Sequence, residues 1–204
     1  MTGVVPTGNT YDKYGSTNPV ERRLMRGFFD ALGGVLPNRD PTTVLDVGIG
    51  EGEVAVHVRE RYPGALVVGV DLPDPRLAAH WTVRGLRGVY GNIARLPFPS
   101  ASFDLVMAVE VLEHVPDPTA ALAELDRLCR GDLVVSVPRE PVWRAANMAR
   151  GKYLAAMGNT PGHIQHWSAR RFSRLVATRF DVVSVRTPFP WTVVGARSRA
   201  VAAA

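Results

Sequence analysis

Three glycines at alternate positions, Gly48, Gly50 and Gly52, follow directly on the apolar run TVLDV at 43–47 and precede a helical pattern. A residue without Cβ can take positive φ and lets a ligand approach the main chain closely, so such a strand-to-helix turn is a natural binding loop. Two carboxylates flank it. Asp46 lies two residues before the first glycine, at the mouth of the loop, and Asp71 ends the next apolar run, ALVVGVD at 65–71. An acidic residue about 20 positions after such a loop is placed to accept hydrogen bonds from two ribose hydroxyls. A dinucleotide fingerprint, G-x-G-x-x-G, requires a further glycine at 53, and that position is Glu53. A carboxylate at the mouth also repels a pyrophosphate. It suits a ligand with an ammonium or sulfonium group.

Histidines form the second set of reactive residues. His163 and His166 are three apart in GHIQHWS, just before a helix that Ser168 can cap. Either imidazole can act as a general base, since it titrates near neutrality. Equally, one can cap local backbone and the other pack, with Trp143 and Trp167 as core. His114, next to Glu113, either begins a turn before the Asp117 cap, a structural role, or has a role beyond structure. Cys129 is the only cysteine, so no intrachain disulfide forms, and its place on an apolar stripe makes it a small core residue. Cysteine and histidine show no zinc-ligand spacing, and no metal site is expected.

These residues need a frame that alternates strand and helix. A helix starts at Asn18-Pro19, with Leu24, Met25, Phe28 and Leu32 on one side and Gly33-Gly34 at its end. Strands are expected at 43–47, 65–71, 88–90, 103–109 and 132–137, with a helix from Val54 to Arg61. Another helix is capped by Asp117-Pro118, carries Leu122, Leu125, Leu128 and Cys129, and is stopped by Gly131. Continuous Val/Leu strands between helices indicate a parallel sheet covered on both faces. Residues 180–185 and 191–196, joined by Pro188-Phe189-Pro190, lack an intervening helix and read as antiparallel. The fold class is α/β, doubly wound, a mostly parallel seven-stranded sheet with an antiparallel edge strand.

The glycine loop, together with GNIARLPF at 91–98, SFDLV at 102–106 and VLEHVPDP at 111–118, resembles the class I S-adenosylmethionine-dependent methyltransferases. Within these it is similar to the type 11 family, which includes quinone-biosynthesis methyltransferases. The resemblance runs from about Val44 to Pro138. It implies a Rossmann-like methyltransferase fold, S-adenosylmethionine as cofactor, S-adenosylhomocysteine as product, and methyl transfer as the activity. By the same resemblance Asp46, Gly48 and Gly50 line the methionine moiety, Asp71 holds the ribose, and Leu72 packs on adenine. Asn92 meets the adenine amine, with Ile93 beside it; the family commonly has Asp at the position of Asn92. Glu110 follows the fourth strand at the ligand edge of the sheet, and Tyr14 belongs to an N-terminal segment that can fold over the cofactor.

Methyl transfer needs alignment more than a catalytic constellation, so the acceptor pocket is sought outside the shared core. The chain is read as one methyltransferase domain in four parts: an N-terminal helical lid (1–36), a cofactor-binding core (37–138), a helical acceptor-pocket insertion (139–167), and a C-terminal helix and strands (168–204). The acceptor is expected to be a small molecule. The formal net charge of +5 and pI of about 9.9 keep nucleic acid open without favouring it, because the arginines are scattered. No apolar run approaches the roughly 20 residues of a membrane span, and a cytoplasmic location is expected. An RNA-directed methyltransferase and a family member that binds the cofactor without methylating stay open as alternatives. An NAD(P)-dependent reductase is disfavoured by Asp46, by Glu53 and by the lack of a Tyr-x-x-x-Lys pair.

Overall fold

The apolar runs assemble into one seven-stranded sheet of order β3-β2-β1-β4-β5-β7-β6. In this computed structural model, which describes residues 17–199, the strands are β1 (Thr43–Val47), β2 (Leu66–Asp71), β3 (Arg87–Tyr90), β4 (Phe103–Val109), β5 (Cys129–Pro138), β6 (Phe180–Arg186) and β7 (Trp191–Ser198). The first five are mutually parallel, and β7 runs antiparallel to both its neighbours. The chain builds outward from β1 to β3 and then returns to start β4 on the other side of β1. That reversal opens a crevice at the carboxyl ends of β1 and β4, where doubly wound sheets bind ligands.

The helices are α1 (Pro19–Gly33), α2 (Glu53–Arg61), α3 (Pro75–Val83), α4 (Pro118–Leu128), α5 (Val142–Ala149) and α6 (Ala169–Val176). Side chains alternate between the two faces of each strand. On one face Leu45, Val47, Val106, Ala108 and Val135 pack with Leu122, Leu125 and Leu128 of α4 and Phe172 of α6. On the other, Val44, Leu105, Met107 and Val193 pack with Phe28 and Leu32 of α1, Val54 and Val58 of α2, and Trp81 of α3. Covering both faces explains why the central strands read as nearly unbroken apolar runs. Local signals fix the helix starts. Asn18, Asp117 and Ser168 each accept a main-chain N–H in the first turn, and Pro19 and Pro118 occupy first helical positions.

Two expectations change, and two features go beyond them. Helix α4 ends at Leu128 and the chain passes straight into β5, so Cys129 opens a strand and lies outside the helical stripe. Its thiol is nevertheless buried, and burial pushes it up to about 12. Gly131 is not a helix stop. A Cβ there would meet the Asp104 carbonyl oxygen at 2.0 Å, so the glycine permits close approach of β5 to β4 where their register shifts. Helix α3 has the Asp74-Pro75 start signal but is too short to show a clear apolar period, and it was not foreseen. Finally, the last strand is interior. Strand β7 inserts between β5 and β6, and its near-continuous burial contrasts with the alternation of the edge strand β6.

Candidate functional site

Strand β1 delivers the glycine loop to the crevice. Gly48, Gly50 and Gly52 have φ of +74°, +54° and +92°, values that side-chain-bearing residues rarely adopt. A Cβ on Gly48 would also meet Val111 Cγ2 at 2.3 Å, whereas one on Gly50 would meet nothing within 4 Å. Gly48 therefore lets the segment after β4 pack against the loop. Gly50 leaves the loop open on its outer side. Glu53, where a dinucleotide fingerprint wants glycine, starts α2 and pairs with Arg84.

The two carboxylates behave differently. Asp71 braces the loop: its Oδ2 accepts from Gly50 N at 2.7 Å and its Oδ1 from Leu72 N at 2.7 Å. Burial raises its pKa, opposed by those two bonds. Each oxygen keeps a further lone pair for a ligand. Asp46 is not at the loop mouth but inside the sheet, 2% exposed, level with Gly69 of β2 and Met107 of β4. Its Oδ2 has no hydrogen-bond partner. Burial, and then the charge of Asp71, push its pKa up to about 7. A buried, under-satisfied carboxylate is costly alone and becomes favourable beside a cation. Trp81 adds a tie that the sequence did not announce, its indole N–H donating to Gly50 O at 2.8 Å.

The remaining core candidates line the same end of the sheet. Leu72 is half-buried just beyond β2. Asn92 is exposed after β3, with its side-chain oxygen accepting from Ala94 N at 2.9 Å, and Ile93 packs against the core beside it. Glu110 turns out of β4 with φ of +59°. Its carboxylate accepts from Ser136 Oγ at 3.1 Å and from the Trp191 indole at 2.8 Å, tying the ends of β4, β5 and β7 together. Ser136 and Trp191 were missed because nothing local to either marks a partner so distant in sequence. Tyr14 lies outside the described residues.

His163 and His166 part company. His163 is 9% exposed, packed near Trp143 and edge-on to His114, with ring centroids 4.9 Å apart. His166 lies 3.8 Å from Glu140, whose pKa burial raises against the pull of Arg144 and His166. The loop carrying both is stitched to the turn after β4. The Glu113 carbonyl accepts from Ile164 N at 2.9 Å and Gln165 N at 3.1 Å, and His114 Nδ1 is 3.0 Å from Gly162 O. Glu113, His114 and His163 thereby come together, one ligand atom of each within 4.8 Å of the others. Much of the insertion's polarity is spent on itself. Trp143 donates to Thr160 Oγ1, Asn147 to Gly158 O, and Arg144 to Met157 O. A separate open groove of about 670 Å³, between α1 and the β6–β7 turn, includes none of these candidates.

Residues 45–135 match the family model described as a methyltransferase domain. A demethylmenaquinone methyltransferase from Roseiflexus sp. is 35% identical over 111 residues, covering 50% of this chain and 47% of that protein. Nocamycin O-methyltransferase from Saccharothrix syringae is 37% identical over 121 residues, covering 56% and 40%. The chain spans about half the length of the curated relatives it matches. Among solved structures, magnesium protoporphyrin IX methyltransferase from Synechocystis, with bound S-adenosylhomocysteine, superposes with a TM-score of 0.66 at 17% identity, covering 90% of this chain and 89% of that one. A (4+2)-cyclase superposes with a TM-score of 0.65 at 16% identity, covering 93% and 85%. Residues 45–135 thus resemble the methyltransferase domain family, and the chain has the seven-stranded fold that S-adenosylmethionine-dependent methyltransferases share.

Proposed function

We propose that this chain binds S-adenosylmethionine in the β1–β4 crevice and transfers its methyl group to a small-molecule acceptor. The observation that carries the reading is the Asp46 carboxylate, buried at the base of a bare loop with one oxygen unpartnered. Such a group disfavours phosphate and favours a cationic ligand, and the aminoacyl sulfonium end of S-adenosylmethionine is one. Asp46 with the main chain of Gly48 and Gly50 would hold that end, Asp71 the ribose hydroxyls, and Leu72, Asn92 and Ile93 the adenine. Glu110, already held by Ser136 and Trp191, would shape the cleft wall. When bound, the cofactor supplies a methyl group on a good leaving group. The protein's share is to hold the acceptor in line and keep water out.

Residues 139–167 and the N-terminal part of the chain would form the acceptor pocket, and His163 or His166 would take the proton of an acceptor that carries one. The named relatives with small-molecule methyl acceptors support this class over nucleic acid. No helix among the described residues is long and apolar enough to cross a membrane. A second reading, cofactor binding without methylation, is favoured by one observation: a (4+2)-cyclase shares the fold. Two measurements separate the possibilities. Calorimetry should show binding of S-adenosylmethionine and S-adenosylhomocysteine but not NAD, and a screen of phenolic and carboxylic acceptors should yield a methylated product with stoichiometric S-adenosylhomocysteine. Preferential NAD binding sinks the whole reading. Cofactor binding without any methylated product leaves only the second.

A further inference from the structure

The turn after β4 carries more chemistry than the methyl-donor cleft uses. We propose that Glu113, His114 and His163 form a binding site for one divalent transition-metal cation on the acceptor side of that cleft. Two imidazoles and a carboxylate are the donor set that holds zinc or ferrous iron with coordination positions left open. The three ligand atoms lie within 4.8 Å of one another. Bonds of roughly 2.0–2.2 Å to a common ion place ligand atoms roughly 3–3.5 Å apart, so the cluster needs to tighten by at most about 1.3–1.8 Å. Side-chain rotation can supply that.

The surroundings resemble an outer shell. His114 Nδ1 is 3.0 Å from the Gly162 carbonyl oxygen. With its proton on Nδ1, that ring presents the Nε2 lone pair, which is how a metal-bound imidazole is usually oriented. Gly162 has φ of +86°, and a Cβ there would approach His114 Nδ1 to 3.3 Å, so the glycine brings the carbonyl and the ring together. Glu113 is 1% exposed, and both its carboxylate oxygens are shielded from solvent. A carboxylate so placed would be stabilised by a cation held between it and the two imidazoles. Its backbone is fixed, because its carbonyl accepts from Ile164 N and Gln165 N. His163 is held by Trp143 and His114. Two segments far apart in sequence therefore converge on one point, which spacing rules for metal ligands do not detect.

The position bears on the reaction. Val111, two residues before Glu113, packs on Gly48 of the cofactor loop. A cation at Glu113 would lie next to the methyl-donor cleft with open positions for an acceptor oxygen. It would lower that oxygen's pKa and orient it, a task otherwise left to an imidazole base. This role rests on the proposed methyl transfer. The binding itself does not.

The test uses the 204-residue chain without an affinity tag, stripped with a chelator and titrated with Co²⁺. The expected result is a visible d–d absorption that saturates at one equivalent per chain, is displaced by Zn²⁺, and is unaffected by equal Mg²⁺. Glu113→Gln and His163→Asn should each weaken Co²⁺ binding at least tenfold while S-adenosylmethionine affinity and the far-ultraviolet circular dichroism stay unchanged. His80→Asn, at an exposed position of α3, should bind as the parent does. Absence of saturable binding, or full-strength binding in both ligand variants, overturns the site. Should a variant fail to fold, pulsed electron paramagnetic resonance of the parent with one Cu²⁺ must show two coupled imidazoles; fewer than two also overturns it. Intact Co²⁺ binding without a methylated product would instead count against the methyl-transfer reading alone.

Discussion

Replacing Asp46 with asparagine should make the ligand-free protein more stable at pH 8 while weakening its hold on S-adenosylmethionine. Burial, and secondarily the charge of Asp71, push the carboxyl up to about 7 in the folded chain from its ordinary 3.8. The folded state thus binds this proton more tightly than the unfolded chain does. Its contribution to stability is complete below pH about 4, declines as pH rises, and is lost above about 7. The difference between those limits is about 4 kcal/mol. Asparagine removes the charge but leaves a buried amide short of partners, which costs about 1–3 kcal/mol. A net gain of about 1–3 kcal/mol at pH 8 follows, and a chain of this size should melt several degrees higher, at about 2–4 °C per kcal/mol. At pH 4 the parent carboxyl is already protonated, so the variant should gain nothing. Loss of a charge-assisted contact worth about 1.5–3 kcal/mol should weaken cofactor binding roughly ten- to a hundredfold. Calorimetric melts of the ligand-free proteins at both pH values, and titration calorimetry with the cofactor, measure these quantities. A variant that melts below the parent at pH 8, or binds the cofactor equally well, refutes the assignment of Asp46 as the buried charge reserved for a cation.

Gly48→Ala combines a left-handed backbone with a 2.3 Å approach to Val111. It should cost at least about 1–2 kcal/mol in chemical denaturation and abolish measurable cofactor binding. Cys129 is buried, with its thiol pushed up to about 12, so the native protein should resist a thiol-specific reagent at pH 8 and react with one equivalent only after denaturation. His163→Ala or His166→Ala should lower turnover on a product-forming acceptor without weakening cofactor binding. Equal turnover in both variants would remove the base assignment.

The succession of strands along the chain, and of helices apart from α3, was legible because both signals are local. Thr43–Val47, Phe103–Val109 and their fellows are continuous apolar runs, and Asn18, Asp117 and Ser168 cap the helices that follow them. The glycine loop was legible too, since glycine adopts positive φ, here +74° and +54° at alternate positions, without the steric cost that a Cβ brings. What misled was the join of α4 to β5. Gly131 looks like a helix stop in one dimension, and only the approach of Asp104 from β4 shows why glycine stands there. The interior place of β7 was equally hidden, because strand order depends on which edges meet.

The amino-acid sequence by itself settled the fold class and singled out Asp46, Gly48, Gly50 and Asp71 as candidate site residues, because a strand, a tight turn and an acidic partner about 20 residues on are written within one contiguous stretch. Tertiary structure alone decided that Asp46 lies inside the sheet with an unpartnered oxygen, that Glu110 is held by Ser136 and Trp191, and that His163 leaves His166 to join Glu113 and His114. Burial and long-range contact are properties of the packed chain, and it is burial that turns an ordinary carboxylate into one held near 7.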